Sequence, residues 1–353
     1  MTGNRKIWKV LIGCLVIMMA CSAQVLTAYC MPASVNDETR ELLGLYQNGR
    51  DRFLIRERDG VLELLYDTNP RDGEVIKTYV TFPMEKVSDN YYRLVGNGPQ
   101  ESQSSTVKFD RDAAGRGIVC YVGAKRFSRH FYGPESGLAF RIVPQLPTEE
   151  LKKRAKAAIP PIETGVFQQP DLVEIVTLEP TIQLDIRYAT DNNFMGISLY
   201  GEPRAFLQRS AAEALVRVHH KLNNYGYGIV VYDAYRPWSV TKMFWDATPS
   251  NQKIFVADPA KGSRHNRGGA VDVGLYDVKT GKVISLTSDY DEFSPRAYSD
   301  FPGGTTVERW QRDLLRILME GEGFTVYPEE WWHFDYHDWK QLPILNLPFD
   351  KIY

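Results

Sequence analysis

The stretch SRHNRGGAVD, residues 263–272, has a Gly-rich turn between an imidazole and a carboxylate. Its glycine pair, Gly268-Gly269, accepts backbone angles that other residues resist, so the chain can turn back and bring His265 and Asp272 to one point. Asp272 opens the apolar run Val273-Gly274-Leu275, and a carboxylate in an apolar strand is costly to bury unless it is paired or metal-bound. We therefore predict a buried His–Asp site, although on spacing alone a structural role for the pair remains open.

A second stretch, EEWWHF at residues 329–334, places carboxylates and an imidazole among aromatic side chains. Apolar surroundings raise the pKa of a carboxyl group toward the range in which a base can take and return a proton. Glu330 precedes His333 by three positions, which on an ideal strand would point the two side chains to opposite faces, so we expect a bend or helical turn here. The alternative is that Trp331 and Trp332 form core and Glu330 is a solvated charge at its rim.

The histidines narrow the choice of metal ligands. A hydrolytic zinc needs three protein ligands and one open position for water, and two His with one carboxylate suit it. Of the six histidines, His219-His220 lie on a predicted helix and are expected to be structural or at the surface. His130 is expected to pack in the N-terminal half, and His337 is a spare candidate for which we favour a structural role. His265 and His333 remain.

A third stretch, YDAYRP at residues 232–237, follows a predicted buried strand. Arg236 stands just after that strand and is fixed by the following Pro237. A guanidinium so placed suits a developing oxyanion. A structural role for an arginine at a strand end is the alternative.

Composition bounds the remaining possibilities. A chain of 353 residues suggests two domains, and 43% hydrophobic with 24% charged residues is ordinary globular composition. The net charge of -2 gives no long-range attraction to nucleic acid, so we expect no nucleic-acid partner.

The N-terminal half, residues 38–143, reads as short strands separated by Gly and Asp, with a hairpin across Asp59-Gly60. We predict a small all-β sheet or barrel. The segments at residues 107–116 and 127–129 resemble the lipocalin-like β-modules that are appended to some bacterial hydrolases. This resemblance implies an accessory role, with a partner that is unknown.

The C-terminal half has a different pattern. A linker with four prolines and a charged helical stretch is predicted at residues 144–162. Residues 163–353 then alternate between strands and helices and predict an α+β domain, with helices on an antiparallel or mixed sheet. In it we expect strand-like structure from Ile175 to Tyr188 and amphipathic helices from Ser210 and over Thr306 to Glu320.

The first residues predict export. Basic residues precede an uncharged apolar run, Val10 to Ala20, that is too short to span a bilayer, so residues 1–23 read as a signal peptide. Met18-Met19-Ala20-Cys21 resembles a lipobox, which makes Cys21 a candidate lipid anchor; plain cleavage near Ala23 or Ala28 is the alternative. We expect a periplasmic protein or a lipoprotein on the outer side of the cytoplasmic membrane. There Cys30 and Cys120 have the option of pairing or of staying as free thiols.

In this order, DAYRP, SxHxxGxAxD and EWWH resemble the D-alanyl-D-alanine dipeptidases of the VanX type, within the zinc D,D-peptidase group. The resemblance covers most of residues 172–353 and includes the segments at 185–196 and 290–296. It implies one Zn²⁺ per chain, held by His265, Asp272 and His333. It also implies Glu330 as general base and Arg236 as the transition-state arginine.

The resemblance also assigns Tyr188, Ser263 and Asp291 to the substrate pocket, with Asp291 suited to the substrate's ammonium group. Arg264 stands where the family often has Ser, which leaves the recognition of the substrate carboxylate open. The implied reaction is hydrolysis of D-alanyl-D-alanine, or of a related peptidoglycan-derived peptide. The alternatives are a D,D-carboxypeptidase that trims peptidoglycan stems and a non-catalytic cell-wall binding protein.

Overall fold

A computed structural model of the protein describes residues 31–70, 76–96, 106–136 and 140–352. The predicted signal segment, Cys21 and Cys30 lie outside these ranges. Within them, no helix is both long enough and apolar enough to cross a membrane.

The N-terminal half is a closed eight-stranded barrel, which confirms the predicted all-β module. Each strand pairs antiparallel with the next, and the first closes on the last. The hairpin at Asp59-Gly60 is as predicted, with φ angles of 50° and 85° that the tight two-residue turn requires. After a short helix α1 (Asp37–Arg40), the strands are β1 (Gly44–Asn48), β2 (Asp51–Arg58), β3 (Val61–Asp67), β4 (Tyr79–Ser88), β5 (Tyr91–Leu94), β6 (Thr106–Arg111), β7 (Gly117–Val122) and β8 (Lys125–His130).

Aromatic side chains fill the barrel interior. The ring of Tyr46 stacks on Phe53 at 5.7 Å, and Phe53 meets Phe127 edge-on at 4.8 Å. Cys120 is buried in the same core, and this burial raises the pKa of its thiol. Its candidate partner Cys30 is outside the described residues, so that pairing stays a prediction.

The C-terminal half is a mixed α+β structure, as predicted. Its strands are β9 (Leu172–Glu174), β10 (Gln183–Leu184), β11 (Phe206–Gln208), β12 (Tyr227–Asp233), β13 (Ala270–Asp277), β14 (Phe324–Tyr327) and β15 (Glu330–Tyr336). Five of them form a sheet of order β10-β12-β13-β15-β14, in which only β10 and β12 run parallel, and β9 pairs separately with β11. The helices are α2 (Thr148–Ala157), α3 (Ile175–Leu178), α4 (Arg209–Asn223), α5 (Trp238–Ala247) and α6 (Thr306–Glu320).

Local sequence explains the longest helices. Helix α6 begins with a capping box, in which Thr305 and Glu308 each accept a backbone N–H of the other. Its buried residues include Leu314 and Leu315, while α4 buries Leu215, Val218 and Leu222 at steps of three and four. These faces cover the sheet.

The strand predicted from Ile175 to Tyr188 is wrong. Residues 175–178 form a helical turn, and only Gln183–Leu184 is extended in the sheet. Ile175 is fully buried and donates its N–H to the carbonyl of Ala205, so tertiary packing overrides the β-propensity of this segment.

The barrel packs directly on the C-terminal half. Five buried side chains from both halves form a shared apolar cluster, here called the junction cluster: Leu45, Leu54, Leu65, Ile76 and Phe301. Beside it, the buried carboxylate of Glu57 in β2 accepts the N–H of Thr306 at 2.7 Å, which satisfies an open donor at the start of α6.

Candidate metal centre and catalytic site

Three neighbouring strands bring acidic and imidazole side chains together. In the ladder, Asp272 of β13 lies opposite Asp233 of β12 on one side and His333 of β15 on the other. Directly opposed residues of antiparallel strands project from the same face, so this register alone places Asp272 beside His333. Both are buried, with 3% and 7% of their surface exposed.

His265 reaches the same point from a single helical turn, His265–Arg267, that precedes β13. Gly268 ends this turn with a φ of 65°, the left-handed conformation expected from the glycine pair. A Cβ on Gly269 would lie 2.8 Å from the Cβ of Trp339, so this second glycine is needed for space.

The three predicted ligand side chains meet. His333 Nδ1 lies 3.0 Å from Asp272 Oδ1 and 3.1 Å from His265 Nε2, and the third separation, His265 Nε2 to Asp272 Oδ1, is 3.4 Å. Ligands at about 2.0–2.2 Å from a tetrahedral zinc are separated by roughly 3.3 Å, so the three atoms fit such an ion. The buried His–Asp–His group is thus a candidate metal site.

The outer nitrogens of the two imidazoles are already engaged. His265 Nδ1 donates to the carbonyl of Ala234 at 2.7 Å, and His333 Nε2 donates to Asp335 at 3.0 Å. These hydrogen bonds orient His265 Nε2 and His333 Nδ1 toward the carboxylate of Asp272. A positive charge is needed where these two nitrogens and the carboxylate meet. Burial lowers the pKa of His333, but the carboxylates of Asp272 and Asp335 outweigh it and raise it to about 10, so a proton meets that need when no metal is bound.

Glu330 lies over this centre. Its Oε2 is 3.8 Å from His333 Nδ1, because the β14–β15 ladder shifts register between Val326 and Tyr327. The expected bend is therefore present. Withdrawal from water raises the pKa of Glu330 to about 7, which suits a group that takes and returns a proton.

Arg236 is buried beside the centre. It donates through Nε and Nη2 to Asp233 Oδ2 at 2.9 and 2.7 Å, and its guanidinium lies over the ring of Phe244 at 4.7 Å. Asp233 also accepts the hydroxyl of Tyr200 at 2.6 Å. Because the pair with Asp233 uses Nε and Nη2, Nη1 is the nitrogen of Arg236 that this pair leaves to meet a substrate oxygen.

Tyr188 and Asp291 also come together. The hydroxyl of Tyr188 donates to Asp291 Oδ2 at 2.8 Å, while Tyr290 donates to Asp272 Oδ2 at 2.9 Å and thereby joins the two groups. Burial and the nearby negative charge of Asp272 raise the pKa of Asp291 well above its usual value. The ionised form of Asp291 is therefore disfavoured, and a cationic partner would stabilise it.

Ser263 and Arg264 do not join the Tyr188–Asp291 hydrogen bond and make other contacts. Ser263 Oγ accepts the N–H of His265 at 3.2 Å, which is a local turn contact. Arg264 pairs with Asp335 at 3.1 Å and lies over the rings of Tyr327 and Trp339. Within the described ranges, neither side chain forms a hydrogen bond or ion pair with Tyr188 or Asp291.

The other described histidines have structural contacts. His219 accepts the N–H of Ile229 at 3.1 Å, and His220 lies 2.6 Å from Glu179. The rings of His130 and His337 pack against Tyr132 and Tyr336 respectively.

Three polar residues of the site were not predicted. Asp233 was inside the quoted YDAYRP stretch, and its spacing of three from Arg236 was an available signal. Asp335 lies two residues beyond His333, so strand alternation places it on the same face. Tyr290 offered only its position next to Asp291.

Comparison with known proteins gives a consistent picture. Residues 168–350 match peptidase family M15, described as D-ala-D-ala dipeptidase. The chain is 32% identical over 179 residues to a D-alanyl-D-alanine dipeptidase of Escherichia coli K12, covering 51% of this chain and 91% of that protein. It is 31% identical over 187 residues to the Enterococcus faecium protein of the same description, covering 48% and 91%. A Streptomyces coelicolor relative is 28% identical over 182 residues, covering 46% and 90%.

Proposed function

The chain belongs to peptidase family M15, the D-Ala-D-Ala dipeptidases, and on that premise we propose that it hydrolyses D-alanyl-D-alanine with the help of one Zn²⁺ ion. The observation that carries the proposal is the meeting of His265, Asp272 and His333 at 3.0–3.4 Å, with Glu330 beside them. A purely structural polar cluster would not need the partly buried carboxylate of Glu330 next to three buried ligand atoms.

His265 Nε2, Asp272 Oδ1 and His333 Nδ1 would hold the ion. When bound, Zn²⁺ would act as a Lewis acid that polarises the scissile carbonyl and lowers the pKa of water. Ala234 and Asp335 keep both imidazoles in the orientation that binding requires. The same positive charge would lower the pKa of Glu330 and favour its ionised form before reaction.

Glu330 then serves as the proton carrier. Its Oε2 takes a proton from the water that attacks the peptide carbonyl, and it passes that proton to the amine as the C–N bond breaks. Arg236, fixed by Asp233, presents Nη1 to the negative charge that develops on the carbonyl oxygen.

Asp291 and Tyr188 supply selectivity for a free N-terminus. A partly buried carboxylate that is hard to ionise alone becomes a strong partner once an ammonium group enters. A substrate without that ammonium leaves Asp291 without a charge partner, so an acylated dipeptide is expected to bind poorly.

We also propose export, on the strength of the sequence pattern in residues 1–23, with Cys21 as the candidate anchor. Mass spectrometry of the mature N-terminus tests this. A diacylated Cys21 supports the anchor, and an unmodified N-terminus near residue 24 or 29 supports plain cleavage.

The enzymatic test is a stereochemical panel on the purified full chain. We expect hydrolysis of D-Ala-D-Ala, none of L-Ala-L-Ala, loss of activity after chelation and recovery with Zn²⁺. Faster release of D-Ala from a pentapeptide stem would favour the carboxypeptidase instead. Binding without turnover in the zinc-loaded protein would favour the cell-wall binding protein.

A further inference from the structure

The segment Ser288–Phe301 connects the barrel with the active site. Near its start it supplies Tyr290, which contacts Asp272, and Asp291, which contacts Tyr188. Its last residue, Phe301, belongs to the junction cluster. Asp291 has a φ of 57°, a conformation that a residue with a Cβ keeps only where its surroundings hold it.

Alternating charges run from the barrel into this segment. Arg129 of β8 donates to Glu135 Oε1 at 2.8 Å, and Glu135 Oε1 is 3.6 Å from Nη1 of Arg296. Arg296 donates through Nε and Nη2 to the two oxygens of Glu292 at 2.7 and 2.6 Å. Glu292 is next to Asp291 in the chain and is 2% exposed. The guanidinium of Arg296 also lies over the ring of Tyr132, 5.6 Å from its centre.

A second route follows the chain that leaves the barrel. Phe140 packs on Phe293 with ring centres 4.5 Å apart, and Phe293 meets Phe194 at 5.6 Å. The N–H of Ile142 donates to the carbonyl of Phe194 at 2.9 Å, and Phe194 contacts the ring of Tyr188. Both sides of the Tyr188–Asp291 pair are therefore supported by residues that precede position 144.

Among the described residues, the barrel has a packed interior. Its interior is filled by aromatic and aliphatic side chains, including Tyr46, Phe53 and Phe109. The family match begins only at residue 168, so the barrel is additional to the part that this chain shares with the dipeptidases.

We propose that the barrel is a positioning element of the peptidase site, and that Glu135 is the residue through which it holds the Tyr290–Asp291 segment. The inference rests on the proposed function, because it makes the recognition of the substrate's ammonium depend on the barrel. Glu135 touches no reacting group and acts only through Arg296 and Glu292.

The test uses the zinc-loaded full chain with Glu135→Gln, which keeps the shape and removes the charge. The matched control is Glu85→Gln, which removes the same charge from an exposed barrel pair with Arg93. We expect KM for D-Ala-D-Ala to rise about 3- to 30-fold in Glu135→Gln with kcat within about twofold, and Glu135→Asp to recover part of the loss. Hydrogen exchange should accelerate in peptides that cover residues 288–296 and not in the Glu85→Gln protein.

The hydrogen-exchange measurement tests this proposal independently of the proposed function. If the wild-type protein does not hydrolyse the dipeptide, the function fails, whereas the exchange comparison still decides whether Glu135 orders the segment. Equal KM and equal exchange in the two Gln variants would overturn the proposal. Global unfolding of Glu135→Gln would also overturn it, in favour of a role in folding.

Discussion

His333 Nδ1 lies 3.0 Å from Asp272 Oδ1 because the two residues are direct partners across β13 and β15. The sheet register therefore sets two of the three ligands before any metal arrives, and only His265 depends on a turn. Preformed ligands lose little conformational freedom on binding, which favours tight binding of the ion.

Glu330→Gln should separate metal binding from turnover. The amide cannot accept the proton of water, so kcat is expected to fall by about 10²–10⁴-fold while zinc content stays near one per chain. Kinetics and elemental analysis of the same sample measure both. Glu329→Gln, at the exposed neighbouring position, is the control and should retain activity. Near-normal kcat in Glu330→Gln would remove Glu330 from the mechanism.

Arg236→Lys should lower kcat on the order of 10²-fold, because an ammonium cannot bind Asp233 through two nitrogens and also face the substrate oxygen. Zinc content is expected to be unchanged. Arg204→Lys provides the control, since Arg204 makes a comparable two-nitrogen pair with Glu174 outside the candidate metal site. Equal kcat in the two variants would argue that Arg236 is structural.

Asp335→Ala should weaken zinc binding by about 10–100-fold, because His333 loses the acceptor that orients its ring. Competition with a chelator of known affinity measures this. The exposed Asp350→Ala variant should bind zinc as the wild type does. A wild-type affinity in Asp335→Ala would mean that packing alone orients His333.

Zinc binding should release a proton and strengthen with rising pH. In the metal-free fold, the pKa of His333 is raised from 6.5 to about 10. Its protonated form therefore stabilises that fold fully below pH 6.5, and the contribution is lost as the pH rises through 10. The ion must displace this proton, so apparent affinity should rise about tenfold per pH unit across the neutral range.

Calorimetry at pH 8 in two buffers with different ionisation enthalpies measures the proton count. Close to one proton is expected from His333. A binding enthalpy that does not depend on the buffer would contradict the assigned protonation.

The ligand set was predicted from the resemblance of three short motifs to the zinc D,D-peptidases, because spacing alone left a structural role for His265 and Asp272 open. The Gly pair after His265, the apolar run after Asp272 and the aromatic residues before His333 can all be recognised without knowledge of the fold. Tyr290 could not be found in this way, because its contact with Asp272 depends on how a loop crosses the sheet. Asp335 could have been found, since it only required alternation along β15.

The predicted barrel is confirmed, but its contact with the active-site segment was beyond the sequence. Glu135 and Arg296 are 161 positions apart and pair only because two halves dock. The error at Ile175 has the same origin, since burial against the carbonyl of Ala205 decided its conformation. Long-range packing, which no local pattern records, accounts for both.

The junction cluster also governs how the molecule melts. Leu54 and Phe301 shield one another from water. Neither half can therefore unfold without exposing apolar surface of the other half to solvent. Heating should therefore produce a single calorimetric transition rather than two. A fragment lacking the barrel would expose an apolar patch and tend to aggregate.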